Sequence, residues 1–318
     1  MILVLATKSL VKGELSMTTM SKGSKNRLGM PIISFGTFQL SDDQARESVK
    51  KAIDLGYRSI DTAESYGNEK GVGEAIAASS VSRDDLFITT KLFPGSTDLN
   101  IAEKKYKDTI NTLKDQLKRL KLDYVDLYLI HAPISPFRLD QWAGLVELKK
   151  KGLARHIGVS NYKREEILDI GMESPEADQI EFHPLNTQAS TNVFLKSIGM
   201  TRIAYSSLAP LSAWRREKVQ EDFTSQYKKN AQALISGLSK TLKVTPAKLL
   251  LRWGLQHGYS ILAKSTKEIR MRENINLFDF SISKEDMDRL DSLNQDRVIA
   301  WASSGVDPMS APKLIKNK

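Results

Sequence analysis

Eight short runs rich in β-branched and aromatic residues, each followed by a stretch with helical spacing, constrain this chain more than any other feature. They are IISFGT (32–37), YRSID (57–61), LFITTK (86–91), YVDLYLIH (124–131), ARHIGVS (154–160), ADQIEF (177–182), TRIAYSS (201–207) and SILAKS (260–265). Between them the spacing predicts helices. Over 101–122, Ile110, Leu113, Leu117 and Leu120 recur with a period near 3.6. The stretch 245–258 opens on Thr-Pro, a helix-start signal, and closes beside a glycine. Eight strand–helix units in 318 residues are what a closed (β/α)₈ barrel requires, whereas a doubly wound sheet would use the same alternation with fewer strands. Two helical patterns fill 208–258 where one is expected, so one reads as an insertion after strand 7, and 282–293 is a further amphipathic helix after the eighth unit. The expected architecture is a single α/β barrel domain over residues 25–318, preceded by an extension over 1–24. No segment reads as a linker that would split it.

Composition narrows the chemistry. The chain has no cysteine, which removes disulfides, thiolate nucleophiles and Cys-based zinc sites together and fits a cytoplasmic protein. No run approaches the ~18 apolar residues of a membrane span. The net charge of +9 would suggest nucleic acid were it not concentrated at the ends. Residues 1–27 hold Lys8, Lys12, Lys22, Lys25 and Arg27 against Glu14, giving +4; residues 297–318 hold Arg297, Lys313, Lys316 and Lys318 against Asp307, giving +3. Two basic ends on a near-neutral body do not make a phosphate-backbone surface, so no nucleic-acid partner is expected. The basic, acid-poor start reads as a disordered extension or an upstream start codon ahead of Met17 or Met20, with a mitochondrial presequence as the alternative.

In a barrel of this kind, chemistry gathers at the C-terminal ends of the strands. In YRSID, Tyr57, Ser59 and Asp61 share a face and Asp61 ends the strand. The same alternation ends LFITTK on Lys91 and YVDLYLIH on His131. A lone strand-end histidine is more often structural than catalytic, but three ionisable groups in phase on successive strands are harder to explain that way. Asp126 and Tyr128 point to the helix layer and read as structural, and His156, His183 and His257 show no metal-ligand spacing. Tyr66 follows in the loop after strand 2. A free phenol has a pKa near 10, too high for efficient proton donation at neutral pH. A lysine ammonium about 4 Å away is worth roughly 4 kcal/mol at an effective dielectric near 20, which would lower that pKa by up to about 3. Asp61 would keep Lys91 charged, and His131 would orient a substrate oxygen. Such a group is a general acid aimed at a developing oxyanion, as carbonyl reduction needs.

The glycines of YGNEKGVGEAI look phosphate-loving, yet no G-x-G-x-x-G follows a strand and no G-x-x-x-x-G-K-[ST] occurs. Gly71 and Gly73 fall inside a helical pattern, where close helix packing is the ordinary explanation. The better phosphate candidate is AKSTKEIRMREN (263–274): Lys264 ends strand 8, Ser265 and Thr266 offer N-cap hydroxyls, and Arg270 lies in the first turns of the helix.

Taken together, GYRSIDTAESYGNE, DLFITTKLF, DYVDLYLIHAP, GVSNY, DQIEFHP, AYSSLAP and AKSTKEIRMREN…FDF occur in the order in which they occur in the aldo-keto reductases. The chain resembles that family of NADPH-dependent carbonyl reductases over residues 26–308. The resemblance implies a catalytic tetrad of Asp61, Tyr66, Lys91 and His131, with Tyr66 as proton donor. It implies that Ser160, Asn161 and Gln179 hold the nicotinamide carboxamide and that Tyr205 stacks on its ring. Thr37, Asp61, Ser206 and Leu208 fall at further cofactor-binding positions. Lys264, Ser265, Thr266 and Arg270 would bind the adenosine phosphates, Lys264 and Arg270 reading the 2′-phosphate, while Glu273 and Asn274 face the adenine. Phe38, Phe93, Ala132 and Trp301 fall in the substrate pocket. Ala132 stands where a bulky aromatic is frequent and would widen one wall; Phe38 and Phe93 replace larger aromatics and keep the pocket apolar. Asp178 replaces a commoner asparagine. The expected partners are NADPH and a small-molecule carbonyl substrate, with no metal, no membrane and a monomeric state. A second reading keeps the same fold as an NADP(H)-binding regulatory subunit. A barrel isomerase or hydrolase would need paired carboxylates or a metal cluster at the strand ends, and the sequence shows neither.

Overall fold

The computed structural model describes residues 21, 23–171, 173–212, 226–296, 298–301, 308–309 and 311–314, the side chains of 226–228 excepted. Most of the N-terminal extension, including the apolar start and its basic residues up to Lys22, lies outside them, as does most of the 208–226 segment after strand 7.

Eight parallel strands close into a barrel in chain order: β1 (Ile33–Gly36), β2 (Ser59–Asp61), β3 (Phe87–Leu92), β4 (Val125–Ile130), β5 (Ala154–Ser160), β6 (Ala177–Glu181), β7 (Thr201–Tyr205) and β8 (Ser260–Ala263). Closure is set by the register of first strand on last, with Ile33 opposite Ile261 and Phe35 opposite Ala263. Each strand answers to one of the eight sequence runs, usually one to three residues shorter at an end. Tyr57, expected to share the Asp61 face, precedes β2. It packs edge-on against Phe35 at 5.6 Å and donates to the Met271 carbonyl in the helix layer. The chain straightens into the strand only at Ser59, so the alternation cannot be extended back to Tyr57.

Around the barrel lie α1 (Asp42–Asp54), α2 (Glu69–Ala77), α3 (Tyr106–Leu120), α4 (Arg138–Lys150), α5 (Arg164–Ile170), α6 (Ala189–Ser197), α7 (Gln226–Thr241), α8 (Pro246–Gln256), α9 (Glu268–Ile275) and α10 (Lys284–Asp291). Two helices, α7 and α8, follow β7, and α10 follows the eighth unit, as the sequence implied. Thr245 caps α8 by accepting from the Lys248 amide, with Pro246 in the first turn. The main core fills the space between the barrel and its helices, while a smaller cluster of Leu28, Met30, Phe87, Leu127, Leu129, Ala177 and Ile203 plugs the bottom of the barrel. Asn26 pins that plug to β8 through Ser260.

Gly71 and Gly73 are packing residues. A Cβ on Gly71 would collide with the Asp42 carbonyl at the start of α1, and one on Gly73 with the Leu120 carbonyl at the end of α3. The predicted outward residues are structural too. Asp126 accepts from Arg83 and from the Ile88 amide, and Tyr128 donates to Gln116 at 2.7 Å. His156, His183 and His257 each meet one carboxylate, of Glu176, Glu181 and Asp291 respectively. Among the described residues no group of three or more His, Asp or Glu could hold a metal ion, and no helix is long and apolar enough to cross a membrane.

Candidate active site

The three in-phase residues meet above the barrel. Asp61 is the last residue of β2, Lys91 the last but one of β3, and His131 follows β4 directly. Lys91 is fully buried; its Nζ donates to Asp61 Oδ1 at 2.6 Å and to the Thr62 carbonyl at 2.8 Å, and lies 3.5 Å from the Tyr66 hydroxyl. The second Asp61 oxygen accepts from Gln179 Nε2 at 2.8 Å, a bond that spans the barrel from β2 to β6.

Tyr66 is carried by a single 3₁₀ turn, Glu64–Tyr66, and the chain leaves it through Gly67 at φ 65°, a left-handed conformation that glycine adopts without strain. Glu64 anchors that turn, accepting from the Phe93 amide and from Lys104 Nζ, which also donates to the Phe93 carbonyl. Phe38 lies 5.0 Å from the Tyr66 ring and His131 lies 5.7 Å from it on another side.

Electrostatics divides the roles. Burial works against the Lys91 charge, but Asp61 and Tyr66 outweigh it and lift its pKa above the ordinary lysine value, so the ammonium persists. Burial pushes the Tyr66 phenol up, and Lys91 pulls it back without cancelling the effect. This sign is the opposite of the one expected from a lysine charge about 4 Å away, because that expectation leaves out the solvation the phenolate would lose. Burial, and then Lys91, hold His131 well below the usual imidazole range, so its ring is neutral. Ser65 Oγ sits 3.3 Å from His131 Nδ1, and Asn161 Nδ2 donates to the His131 carbonyl.

These groups form one end of a cavity of about 490 Å³. Of the residues singled out in the sequence, Phe38, Asp61, Tyr66, Phe93, His131, Ser160, Gln179, Tyr205, Ser206, Leu208, Lys264 and Trp301 line it. Trp301 presents its ring to His131 edge-on at 5.5 Å. Lys91 lies beneath the wall. Asn161 is also behind it, where its carbonyl accepts from the Tyr205 hydroxyl at 2.7 Å. Thr37 is fully buried, its hydroxyl donating to the Asp61 carbonyl. Ala132 is fully buried and is not among the residues that line the cavity. Asp178 is fully buried as well, with neither carboxylate oxygen hydrogen-bonded. Burial drives its pKa well up, and the nearby Tyr162 backbone only partly opposes this.

Beyond β8, Ser265, Thr266, Arg270, Glu273 and Asn274 lie off the cavity wall, Asn274 buried and Arg270 exposed. The expected hydroxyl cap of α9 is not formed. The N-cap is Lys267, with no side-chain cap, because Ser265 Oγ instead accepts from the Lys267 amide before the helix begins. The opening turn of α9 is thus uncapped beside Lys264 and Arg270. Sequence reasoning missed Ser65, Gln39, Leu99 and Ser207 as lining residues; Ser65 sits in the motif it quoted, but loop positions carry no periodicity to mark them.

The Aldo/keto reductase family model matches residues 29–295. A glyoxal reductase of Bacillus subtilis is 39% identical over 275 residues, covering 85% of this chain and 91% of that protein. The methylglyoxal reductase DkgA of Escherichia coli is 34% identical over 275 residues, covering 84% and 90%. Among solved structures, a Bombyx mori aldo-keto reductase in complex with NADP superposes with a TM-score of 0.76 at 30% identity, covering 88% of this chain and 95% of that one. The barrel, the group at its top and these matches make the chain a member of the aldo/keto reductase family, an oxidoreductase that acts on carbonyl groups with a nicotinamide cofactor.

Proposed function

We propose that this protein reduces small aldehydes and ketones to alcohols with NADPH, Tyr66 delivering the proton. The observation that carries the reading is the buried Asp61–Lys91 pair reaching the half-buried Tyr66 hydroxyl, with a neutral His131 beside it at the end of one cavity. The cavity accommodates a nicotinamide cofactor: Ser160, Gln179 and Tyr205 lie on one wall, Ser207 Oγ is buried there without a partner, and the uncapped start of α9 lies beyond Lys264. Ser160, Asn161 and Gln179 would hold the carboxamide, Tyr205 the ring, and Lys264 with Arg270 the phosphates. When bound, NADPH supplies the hydride.

The chain's own residues supply the rest. Ser65 engages His131 Nδ1 and leaves Nε2 to orient the substrate oxygen. Tyr66, kept protonated by burial, donates its proton to that oxygen as negative charge develops there, and Lys91 stabilises the phenolate left behind. Asp61, held by Gln179, fixes the ammonium. Phe38, Phe93 and Trp301 exclude water from an otherwise apolar pocket. Every group used comes from one chain, so a monomer suffices. The relatives named glyoxal and methylglyoxal reductase make compact dicarbonyls the first substrates to try.

The test is NADPH oxidation across aldehydes, ketones, sugars and quinones, with Tyr66→Phe alongside. Loss of the proton donor should lower kcat by about 10²–10⁴-fold, the usual worth of general acid catalysis. A wild type that binds NADPH but turns over nothing would replace this reading with that of a regulatory subunit.

A further inference from the structure

The chain that follows α10 is fastened to the loop joining β6 to α6. Asn294 Oδ1 accepts from the Thr187 amide at 2.9 Å, and the Gln295 amide donates to the Leu185 carbonyl at 3.2 Å. The attachment with most contacts to a single side chain is at Glu181, the last residue of β6. The amides of Ile299 and Ala300 lie at 3.0 Å from one of its carboxylate oxygens and 3.1 Å from the other. The carboxylate is 1% exposed, and His183 Nε2 lies 2.9 Å from Oε1. A buried carboxylate is costly unless donors surround it, and two adjacent backbone amides make a small anion nest. The donors belong to the stretch whose next residue, Trp301, stands edge-on to His131, and Ala300 and Trp301 both line the cavity.

We propose that Glu181, which touches neither the cavity nor the reacting group, is a positioning residue for the substrate pocket. By gripping the Ile299 and Ala300 amides it seats Trp301 against His131 and so closes the space beside the reacting carbonyl to all but compact substituents. The proposal rests on the carbonyl-reductase reading for its kinetic consequence, but the grip itself exists without turnover. A carboxylate at the end of β6 is suited to the task because β6 is fully buried and paired on both sides, whereas the described residues 298–301 that it holds form no helix or strand.

Two variants loosen the grip from opposite sides. Glu181→Gln keeps the shape but loses the charge and one acceptor; Ala300→Pro removes a donor without touching the barrel. Each should raise KM for a compact dicarbonyl such as methylglyoxal by about tenfold, as expected when a buried charge-assisted hydrogen bond is lost, while kcat changes by less than about threefold. Backbone hydrogen exchange across 298–301, measured on the protein without substrate, should accelerate by at least about tenfold. In a Trp301→Ala background, Glu181→Gln should have no further effect on KM. Unchanged exchange in both variants, or KM effects of Glu181→Gln and Trp301→Ala that simply multiply, would overturn the proposal. A wild type inactive on every carbonyl would instead overturn the functional reading, and the exchange measurement would still decide the grip.

Discussion

At the scale of single residues, the site works by opposing burial to charge. Lys91 is a buried cation kept charged by a carboxylate 2.6 Å away, and Tyr66 is a half-buried phenol kept protonated despite the lysine beside it. Reduction needs the phenol protonated. With its pKa raised, the acid form persists until pH climbs past about 10, the ordinary tyrosine value. The His131 pKa is depressed, so the ring stays neutral down past about 6.5. The kcat/KM for reduction at saturating NADPH should therefore be flat between about pH 7 and 9; a fall toward the alkaline side of that window would contradict the Tyr66 assignment and a fall toward the acid side the His131 one. Asp61, Lys91 and His131 were legible because strand alternation has a period of two, which aims every second side chain at the same place. The sign of the Tyr66 shift was not, because desolvation depends on what covers the ring. Phe38 lies against Tyr66 from the loop after β1, and Trp301 against His131 from beyond α10.

Elements show a different pattern of legibility. Strand identity survived the translation from pattern to structure; strand ends did not, since a run such as TRIAYSS continues into a turn in which Ser206 takes a φ of 57°. Helix α9 is the instructive case. Its hydroxyls were expected to cap it, but Ser265 spends its oxygen on the Lys267 amide and the helix begins one step later. A local side chain–backbone bond outcompeted the cap, as Ser commonly allows. The result leaves the start of α9 without a side-chain cap. If Arg270 stands guard there over a 2′-phosphate, Arg270→Ala should weaken NADPH binding about tenfold to a hundredfold, the equivalent of about 1.5–3 kcal/mol for a charge-assisted hydrogen bond, and leave NADH binding nearly unchanged. Equal losses for the two nucleotides in a fluorescence titration would remove the 2′-phosphate assignment.

On the scale of the whole molecule, Asp178 is a built-in liability. It lies in the wall of the barrel, opposite Val159 of β5 and Arg202 of β7, with no hydrogen bond to either oxygen. Its folded pKa is raised by burial and then by Glu166, against the pull of the Tyr162 backbone. A raised carboxyl means that the native state holds a proton the unfolded chain has released. That contribution to stability is complete below the unfolded value of about 4 and is lost as pH rises toward the folded one. Asp178→Asn should accordingly gain on the wild type as pH rises, by about 1–3 kcal/mol near neutrality, the cost of a buried unpaired polar group. Urea unfolding at acid and neutral pH would show it, and a gain independent of pH would argue against the ionisation as its cause. The resemblance to the family marked the position as a departure; its burial is what gives it a meaning.

The barrel is sealed by the pairing of β1 with β8, residues some 228 apart in the Ile33–Ile261 register. A protein made from its N-terminus onward therefore holds Asp61, Tyr66, Lys91 and His131 long before it can use them. Until β8 emerges, β1 and β7 each offer a bare edge, and the strands between them are apolar enough to find other company. For this molecule β8 is the segment that turns an open sheet with two exposed edges into the closed barrel above which those four residues meet.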